Sequence, residues 1–281
     1  MPFARILSLA LAALALTGCE DVIVVDLDDG LPPRVVVEGG VVHSATVQTV
    51  RLTTTSDYFA GAEPPPVQGA TVTISDDLGT RVSLVEATPG LYRTEALATS
   101  IGRTYTLDIE ADGVRYRATE TLREVAEIDS LYLIFQEGQG PDAEDGFRVR
   151  LDFRDPAGAG DGYRWQTFVD GDSRLPEQVR RIPTLISDDD LFDGQTVTGY
   201  SPNPEVAFQP GETVVVRQSS ATPQALAFFD LLLQQAAGSP GAFDVPPADI
   251  RGNVGNLSDL SRPAYGYFWV RDEFEVTITV P

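Results

Sequence analysis

Short runs with a period of two recur along most of this chain, and they constrain its fold more than any other feature. Residues 70–74 alternate between apolar and polar side chains, a turn rich in Asp and Gly follows, and residues 81–85 alternate again. Two such runs joined by a short loop predict a β-hairpin, and residues 104–121 predict a second one. Because further runs follow at the spacing of sandwich strands, we predict an Ig-like or transthyretin-like β-sandwich over residues 34–123.

The remainder, residues 124–281, predicts a second, mostly β domain with one packed α-helix. Its strands are predicted at residues 130–136, 147–153, 163–169, 213–217, 265–271 and 274–280. Thr222 is a favourable N-cap, and Pro223 suits the first helical position. Apolar residues then recur at helical spacing until Gly238, so we expect the helix at about residues 223–237. The predicted fold class is therefore mainly β.

The beginning of the chain has the form of a lipoprotein export signal. A basic start is followed by an unbroken apolar run over residues 6–16, and small residues then precede Cys19, the one cysteine of the chain. Such a run is a secretory signal and is shorter than the roughly 20 residues that span a bilayer. We expect residues 1–18 to be removed as a signal peptide and Cys19 to carry fatty acyl chains such as palmitate, with residues 19–33 as a tether. The alternative is an ordinary signal peptide with an incidental cysteine.

Two acidic residues, Glu20 and Asp21, directly follow the lipidated position. Acidic residues there resemble the surface-export signal of some Gram-negative outer-membrane lipoproteins. In other lineages an acidic residue at this place means retention in the inner membrane. We predict attachment to the outer membrane through the N-terminal lipid, with the folded part facing the exterior, and inner-membrane retention is the alternative.

The charge balance excludes several classes of function. The chain has 20 basic residues, all of them arginine, against 42 acidic residues, which gives a formal net charge of −22. We therefore predict no binding to nucleic acid, because phosphate recognition needs a basic face. His43 is the only histidine, so histidine-based catalysis and zinc or copper sites are disfavoured. We predict that the protein is not an enzyme, and a hydrolase working through carboxylates alone is a remote alternative.

The densest acidic cluster contains Asp188, Asp189 and Asp190, with Asp193 before Gly194. Calcium takes about 6–8 oxygen ligands, often from closely spaced carboxylates in a glycine-bearing turn. These four aspartates are therefore candidate calcium ligands, and no other cofactor is predicted. The alternative is a solvated acidic loop whose aspartates close turns.

Two rows of aromatic residues are the candidate binding residues. Tyr163 and Trp165 fall on one side of a predicted strand, and Tyr265, Tyr267 and Trp269 do the same on another. Aromatic rows bind sugar rings or the apolar groups of peptides, and they are good interface anchors. They also occur as ordinary sheet core, and the sequence leaves both interpretations open.

Several blocks of the sequence resemble the domain-of-unknown-function family 4249. They lie, in order, at residues 19–23, 35–39, 66–77, 128–131, 163–165, 189–194, 252–254 and 264–268. The first domain also resembles the carboxypeptidase-regulatory-like (transthyretin-like) sandwiches that accompany outer-membrane transporters. The resemblance implies an envelope lipoprotein of Gram-negative bacteria that accompanies transporters energised through TonB. It assigns no catalytic residue.

From the export signal and this resemblance we expect a non-catalytic outer-membrane lipoprotein. Its expected role is that of accessory or binding partner of a TonB-dependent transporter. The alternative is an independent envelope adhesion or ligand-binding module that binds a neighbour through a sheet edge. A transporter gene beside this one would favour the first role.

Overall fold

In the part of the chain that the computed structural model describes, the regular structure comprises seventeen β-strands and one α-helix. The structure describes residues 32–43, 45–56, 63–138, 144–158, 160–173, 184–204, 206–237 and 249–281. The strands are β1 (Val35–Val42), β2 (Gln48–Thr54), β3 (Thr71–Asp76), β4 (Arg81–Thr88), β5 (Leu91–Thr94), β6 (Thr104–Ala111), β7 (Val114–Thr121), β8 (Ile128–Gln136), β9 (Gly146–Arg154), β10 (Gly162–Val169), β11 (Asp172–Ser173), β12 (Thr184–Asp188), β13 (Thr196–Tyr200), β14 (Thr213–Ala221), β15 (Gly255–Asn256), β16 (Tyr265–Arg271) and β17 (Glu273–Thr279). The helix is α1 (Pro223–Ala237). The predicted signal peptide, Cys19 and the tether up to residue 31 lie outside the described residues.

The longest sheet contains nine strands in the order β15-β7-β6-β3-β4-β5-β2-β1-β16. Strand β4 joins its two halves, because residues 81–84 pair with β3 and residues 85–88 pair with β5. Inward-facing apolar residues from both halves, among them Leu52, Ile74 and Leu107, form one core. Two sheet halves that share a core in this way make a β-sandwich. Both predicted hairpins are present, as β3–β4 and β6–β7.

The end of the chain returns to this first sheet. Strand β16 pairs in parallel with β1, and β15 pairs with β7. The division predicted between residues 123 and 124 therefore does not separate the sheets, since the sandwich contains strands from both sides of it. Two parallel neighbouring strands need a long crossover connection between them. Here most of the chain lies between β1 and β16, so no local sequence pattern predicts their pairing.

The second group of strands forms two smaller sheets around a second core. One has the order β11-β10-β14-β17, with β12 also paired to β10, and the other has the order β13-β9-β8. Leu151, Phe153, Trp165 and Val216 are fully buried between them. The side chains that alternate with Trp165 along β10 lie on the opposite face of that sheet, which becomes one side of the site described below.

Helix α1 matches the predicted bounds, Pro223–Ala237. The backbone N–H of Ala225 donates to Thr222 Oγ1 at 3.2 Å, which is the expected N-cap. Ala225 and Phe229 pack against the aromatic side chains of β16. Among the described residues no helix is long and apolar enough to cross a membrane. The predicted fold class, mainly β with a sandwich and one packed helix, is confirmed.

Candidate functional site

A groove of about 870 Å³ lies between β16, helix α1 and the outer face of the five-stranded sheet. One wall of it is aromatic, because Tyr265, Tyr267 and Trp269 project to the same side of β16. Phe268 and Val270, which alternate with them, project into the core of the sandwich. The structure thus places all three predicted aromatic residues of β16 along a groove.

Close backbone contact between β1 and β16 positions this aromatic wall. Gly266 has a φ of +81°, and a Cβ there would lie 2.0 Å from the carbonyl oxygen of Val37. A Cβ on Gly40 would lie 1.8 Å from the carbonyl oxygen of Trp269. Only glycine fits at both positions, so these two residues set how closely the wall approaches β1.

The outer edge of β16 is covered by a short loop. The Asn253 side chain donates to the Phe268 carbonyl oxygen at 2.9 Å and accepts from the Phe268 N–H at 2.9 Å. A Cβ on Gly252 would lie 1.6 Å from the Gly266 carbonyl oxygen, so the loop lies directly against the strand. An edge occupied in this way does not offer its backbone to an added strand.

Three arginines line the groove although the chain as a whole is strongly acidic. Arg271 Nε donates to Glu273 at 2.6 Å, and Arg217 Nε donates to Glu275 at 2.5 Å. These two guanidinium groups therefore have carboxylate partners within the protein. The third, Arg164, does not.

Arg164 lies on β10 with its guanidinium group between aromatic rings. Its Cζ is 4.5 Å from the ring centre of Phe229 and 5.0 Å from that of Trp269. Within the described part of the chain it forms no hydrogen bond or ion pair, and its Nε is buried without a partner. Burial, together with the nearby charges of Arg271 and Arg217 and against the opposing charge of Glu273, lowers the pKa of Arg164 to about 10. Arg164 is therefore a half-buried cation at neutral pH, and within the described part of the chain no carboxylate forms an ion pair with it.

This arrangement suits an anion that carries an apolar or ring-shaped group. A guanidinium group offers N–H donors in a planar fork that matches a carboxylate. Aromatic faces beside it bind sugar rings or apolar groups. The rim also has polar groups, since Tyr265 OH accepts from Arg34 at 3.0 Å and Arg34 contacts Asp249 at 3.4 Å. The groove can therefore bind both parts of such a ligand.

A buried carboxylate, Glu120 of β7, supports the aromatic wall from behind. The hydroxyl of Tyr267 donates to Glu120 Oε2, and the N–H of Thr121 donates to Oε1 at 3.1 Å. Burial raises the pKa of Glu120, and these hydrogen bonds partly oppose that rise. Glu120 is not among the residues predicted from the sequence. The alternation of the strand does indicate its burial, because Glu120 follows Tyr116 and Ala118 at intervals of two residues, and these two residues of β7 face inward.

The other aromatic row lies in the core, which is the alternative that the sequence left open for it, and its rings are closed off from solvent. Tyr163 is 1% exposed and Trp165 is 0% exposed, and their rings stack with centroids 5.4 Å apart. Tyr163 OH donates to Asp155 at 2.5 Å, and Trp165 Nε1 donates to Gln218 at 2.6 Å. It is the residue between them, Arg164, that faces the groove.

The predicted calcium ligands separate into two groups. Asp189 and Asp193 meet Asp155, and the three carboxylates each offer an oxygen within 4.8 Å of the others. Asp188 and Asp190 are exposed and lie outside this cluster, so the four-residue set predicted from sequence does not form one site. Asp155 was missed because it follows β9, far earlier in the chain.

Comparisons with known proteins place the chain by its sequence. It matches the model of a family described as Domain of unknown function (DUF4249) over residues 20–276. No curated protein matches it. A solved structure, the chicken CNTN1 FN1-FN3 domains, matches at 11% identity, covering 68% of this chain and 63% of that chain, with a TM-score of 0.26. The chain thus spans less than two thirds of that structure, and at this TM-score the match carries no argument.

Proposed function

This chain belongs to the DUF4249 family, and we propose that it is a binding lipoprotein without catalytic activity. In this proposal Cys19 carries the lipid that attaches it to the outer membrane, and the folded part faces the exterior. Its protein partner is a TonB-dependent transporter, for which it captures a ligand. The apolar run and Cys19 in the sequence support the address.

The groove around Arg164 is the observation that carries the proposed binding role. Taking a charge partly out of water without a hydrogen-bonded partner costs stability, and within the described fold two aromatic faces and the more distant charge of Glu273 compensate it only in part. An anionic ligand would supply the missing partner. We infer that the groove holds the compound that the transporter imports, and that this compound carries a carboxylate beside an apolar or ring-shaped group.

An independent adhesion or ligand-binding module is the second candidate. The same groove favours it, because capture of a ligand needs no transporter. Addition of a partner strand at β16 is disfavoured, since Asn253 already pairs with that edge. The two candidates therefore share a site and differ in the protein partner.

A pull-down of the tagged lipoprotein from native outer membranes in mild detergent tests the partnership. We expect mass spectrometry to recover a TonB-dependent transporter in near-equal amount. Recovery of the lipoprotein alone at physiological salt would contradict the partnership and favour the independent module.

The address is tested with a Cys19→Ser variant of the same tagged chain. The variant lacks the thiol that accepts the lipid, so we expect it to leave the membrane fraction and to recover no transporter. A variant that stays in the outer membrane would show that Cys19 is not the anchor.

A further inference from the structure

Three aspartates from separate parts of the chain meet at one end of the second core. Asp155 directly follows β9, Asp189 directly follows β12, and Asp193 lies in the turn before β13. Each offers a carboxylate oxygen within 4.8 Å of the other two. The fold, rather than a local sequence loop, therefore creates the cluster.

Within the described ranges of the chain, no arginine balances the charges of this cluster. Asp155 is 1% exposed and Asp189 is 0% exposed, and among the described ion pairs none includes any of the three aspartates. Arg123 is paired with the neighbouring Asp161 at 3.5 Å instead. Two buried carboxylates this close to each other and to a third repel one another unless a cation lies between them or one of them takes up a proton.

A carboxylate oxygen of Asp189 has no partner. Its Oδ1 accepts from the N–H of Gly160 at 3.0 Å, whereas its Oδ2 is buried and receives no hydrogen bond from any described group. Buried polar atoms are almost always paired in native proteins. This oxygen belongs to a carboxylate of the cluster, so a cation bound by the cluster would supply its partner.

The other two carboxylates are held in position by hydrogen bonds. Asp193 accepts from the N–H of Gly158 at 2.7 Å. Asp155 accepts from the N–H of Gly194 at 2.9 Å and from the hydroxyl of Tyr163 at 2.5 Å. Contacts of this kind orient the carboxylates that coordinate metal ions.

We propose that Asp155, Asp189 and Asp193 bind a calcium ion. Calcium–oxygen distances of about 2.3–2.6 Å place ligand oxygens up to about 5 Å apart, which accommodates the spacing of the cluster. Magnesium demands distances of about 2.0–2.1 Å and near-ideal octahedral geometry, which suits this spread of oxygens less well. Water completes the coordination shell. The ion joins the ends of β9 and β12 to the turn before β13.

Calcium binding is tested on the full chain after treatment with chelator. We expect calorimetry to show one bound calcium per chain, and we expect saturating calcium to raise the melting temperature by roughly 5–10 °C. Asp193→Asn is the main variant, because this aspartate is exposed and its substitution leaves the core intact. We expect it to weaken calcium affinity at least tenfold. The matched control is Asp190→Asn, at an exposed aspartate outside the cluster, which should bind calcium like the wild type.

Three results would overturn the proposal. They are no binding of calcium by the wild-type chain, equal affinity for magnesium, and equal loss of calcium binding in the Asp190→Asn control. The site is independent of the groove, so failure here leaves the proposed ligand binding at Arg164 untouched.

Discussion

The two aromatic rows share one sequence pattern and have different surroundings. The rings of Tyr163 and Trp165 on β10 meet Phe153 and Tyr200 of the opposing sheet, with Trp165 and Tyr200 centroids 4.5 Å apart. The row on β16 instead contacts helix α1, and the ring centroids of Trp269 and Phe229 lie 4.9 Å apart. A sheet covers the first row completely, whereas a single helix leaves a groove beside the second. An alternation with a period of two therefore predicts which residues share a face of a strand. Whether that face is fully covered or borders a groove depends on the element that packs against it.

The residues between the aromatic positions carry the clearer signal. On β10 the polar residues Arg164 and Gln166 alternate with the two aromatic residues. The aromatic side of this strand is therefore its apolar side and becomes core. Along β16 the alternating residues are themselves apolar, as Phe268 shows. One face of β16 supplies the sandwich core, and its second aromatic face packs against helix α1 and also lines the groove, with Tyr267 5% and Trp269 7% exposed.

The largest expected difference between the rows is in folding stability. We expect Trp165→Ala to lower the free energy of unfolding by about 3–5 kcal/mol, because it leaves a cavity in a closed core. Trp269→Ala should cost less, roughly 2–4 kcal/mol, because its ring is 7% exposed and packed by Phe229 and Arg271 but also borders the groove, where the lost volume opens to solvent rather than to a closed cavity. Urea unfolding of both variants measures the difference. Equal losses would show that the second row is core as well.

A smaller difference is expected when one hydroxyl is removed from each row. Tyr163→Phe takes away a buried donor to Asp155 and should cost about 1–3 kcal/mol. Tyr265→Phe removes a half-buried acceptor of Arg34 and should cost less than about 1 kcal/mol. Both free energies should be measured with chelator present, so that calcium contributes nothing. The comparison fails if Tyr265→Phe is the more damaging change.

The contribution of Glu120, behind the groove wall, to folding stability depends on pH. Burial raises the pKa of Glu120 in the folded chain, so between the ordinary glutamate pKa and this raised value the folded state binds more protons than the unfolded state. Stability contributed by Glu120 is therefore present at low pH and is lost as pH rises through the folded pKa. We expect Glu120→Gln to be more stable than the wild type by about 1 kcal/mol at pH 7.

The advantage of Glu120→Gln should shrink toward zero as the pH falls below about 4. Thermal unfolding of both proteins from pH 4 to pH 7 measures it, and exposed Glu95 supplies the matched control, Glu95→Gln. An advantage that does not change with pH would mean that burial does not raise the pKa of Glu120.

Much of the fold could be predicted because local patterns match local structure. Strand β16 begins and ends at the predicted residues, and so does helix α1, whose Thr222 cap is visible in the sequence. The parallel pairing of β1 with β16 could not be predicted, since it joins distant segments. In the sequence this pairing is reflected in Gly40 and Gly266, where a side chain would collide with the neighbouring strand.

The sites were predictable only in part, for the same physical reason. Asp189 and Asp193 stand close together in the sequence, but the third carboxylate, Asp155, arrives from another strand. Arg164 gave no signal of its own, because an arginine on the polar side of a strand is usually solvated. What singles it out is three-dimensional, namely the two aromatic rings beside it and a buried Nε to which no described group offers a hydrogen bond.

The central claim is that the groove binds an anionic ligand through Arg164. The most direct test is mass spectrometry of the small molecules that co-purify with the chain from native membranes. It compares the wild type, Arg164→Met and a control, Arg93→Met, which removes an exposed arginine of β5 that is 53% accessible. All three proteins should fold, and Arg164→Met should melt near the wild-type temperature, because it removes a half-buried charge without a hydrogen-bonded partner together with two cation–ring contacts.

We predict that a carboxylate-bearing compound accompanies the wild type and Arg93→Met, and that its recovery falls at least tenfold, about 1.4 kcal/mol of binding free energy, with Arg164→Met. Recovery of the same compound in the same amount from Arg164→Met would contradict the account.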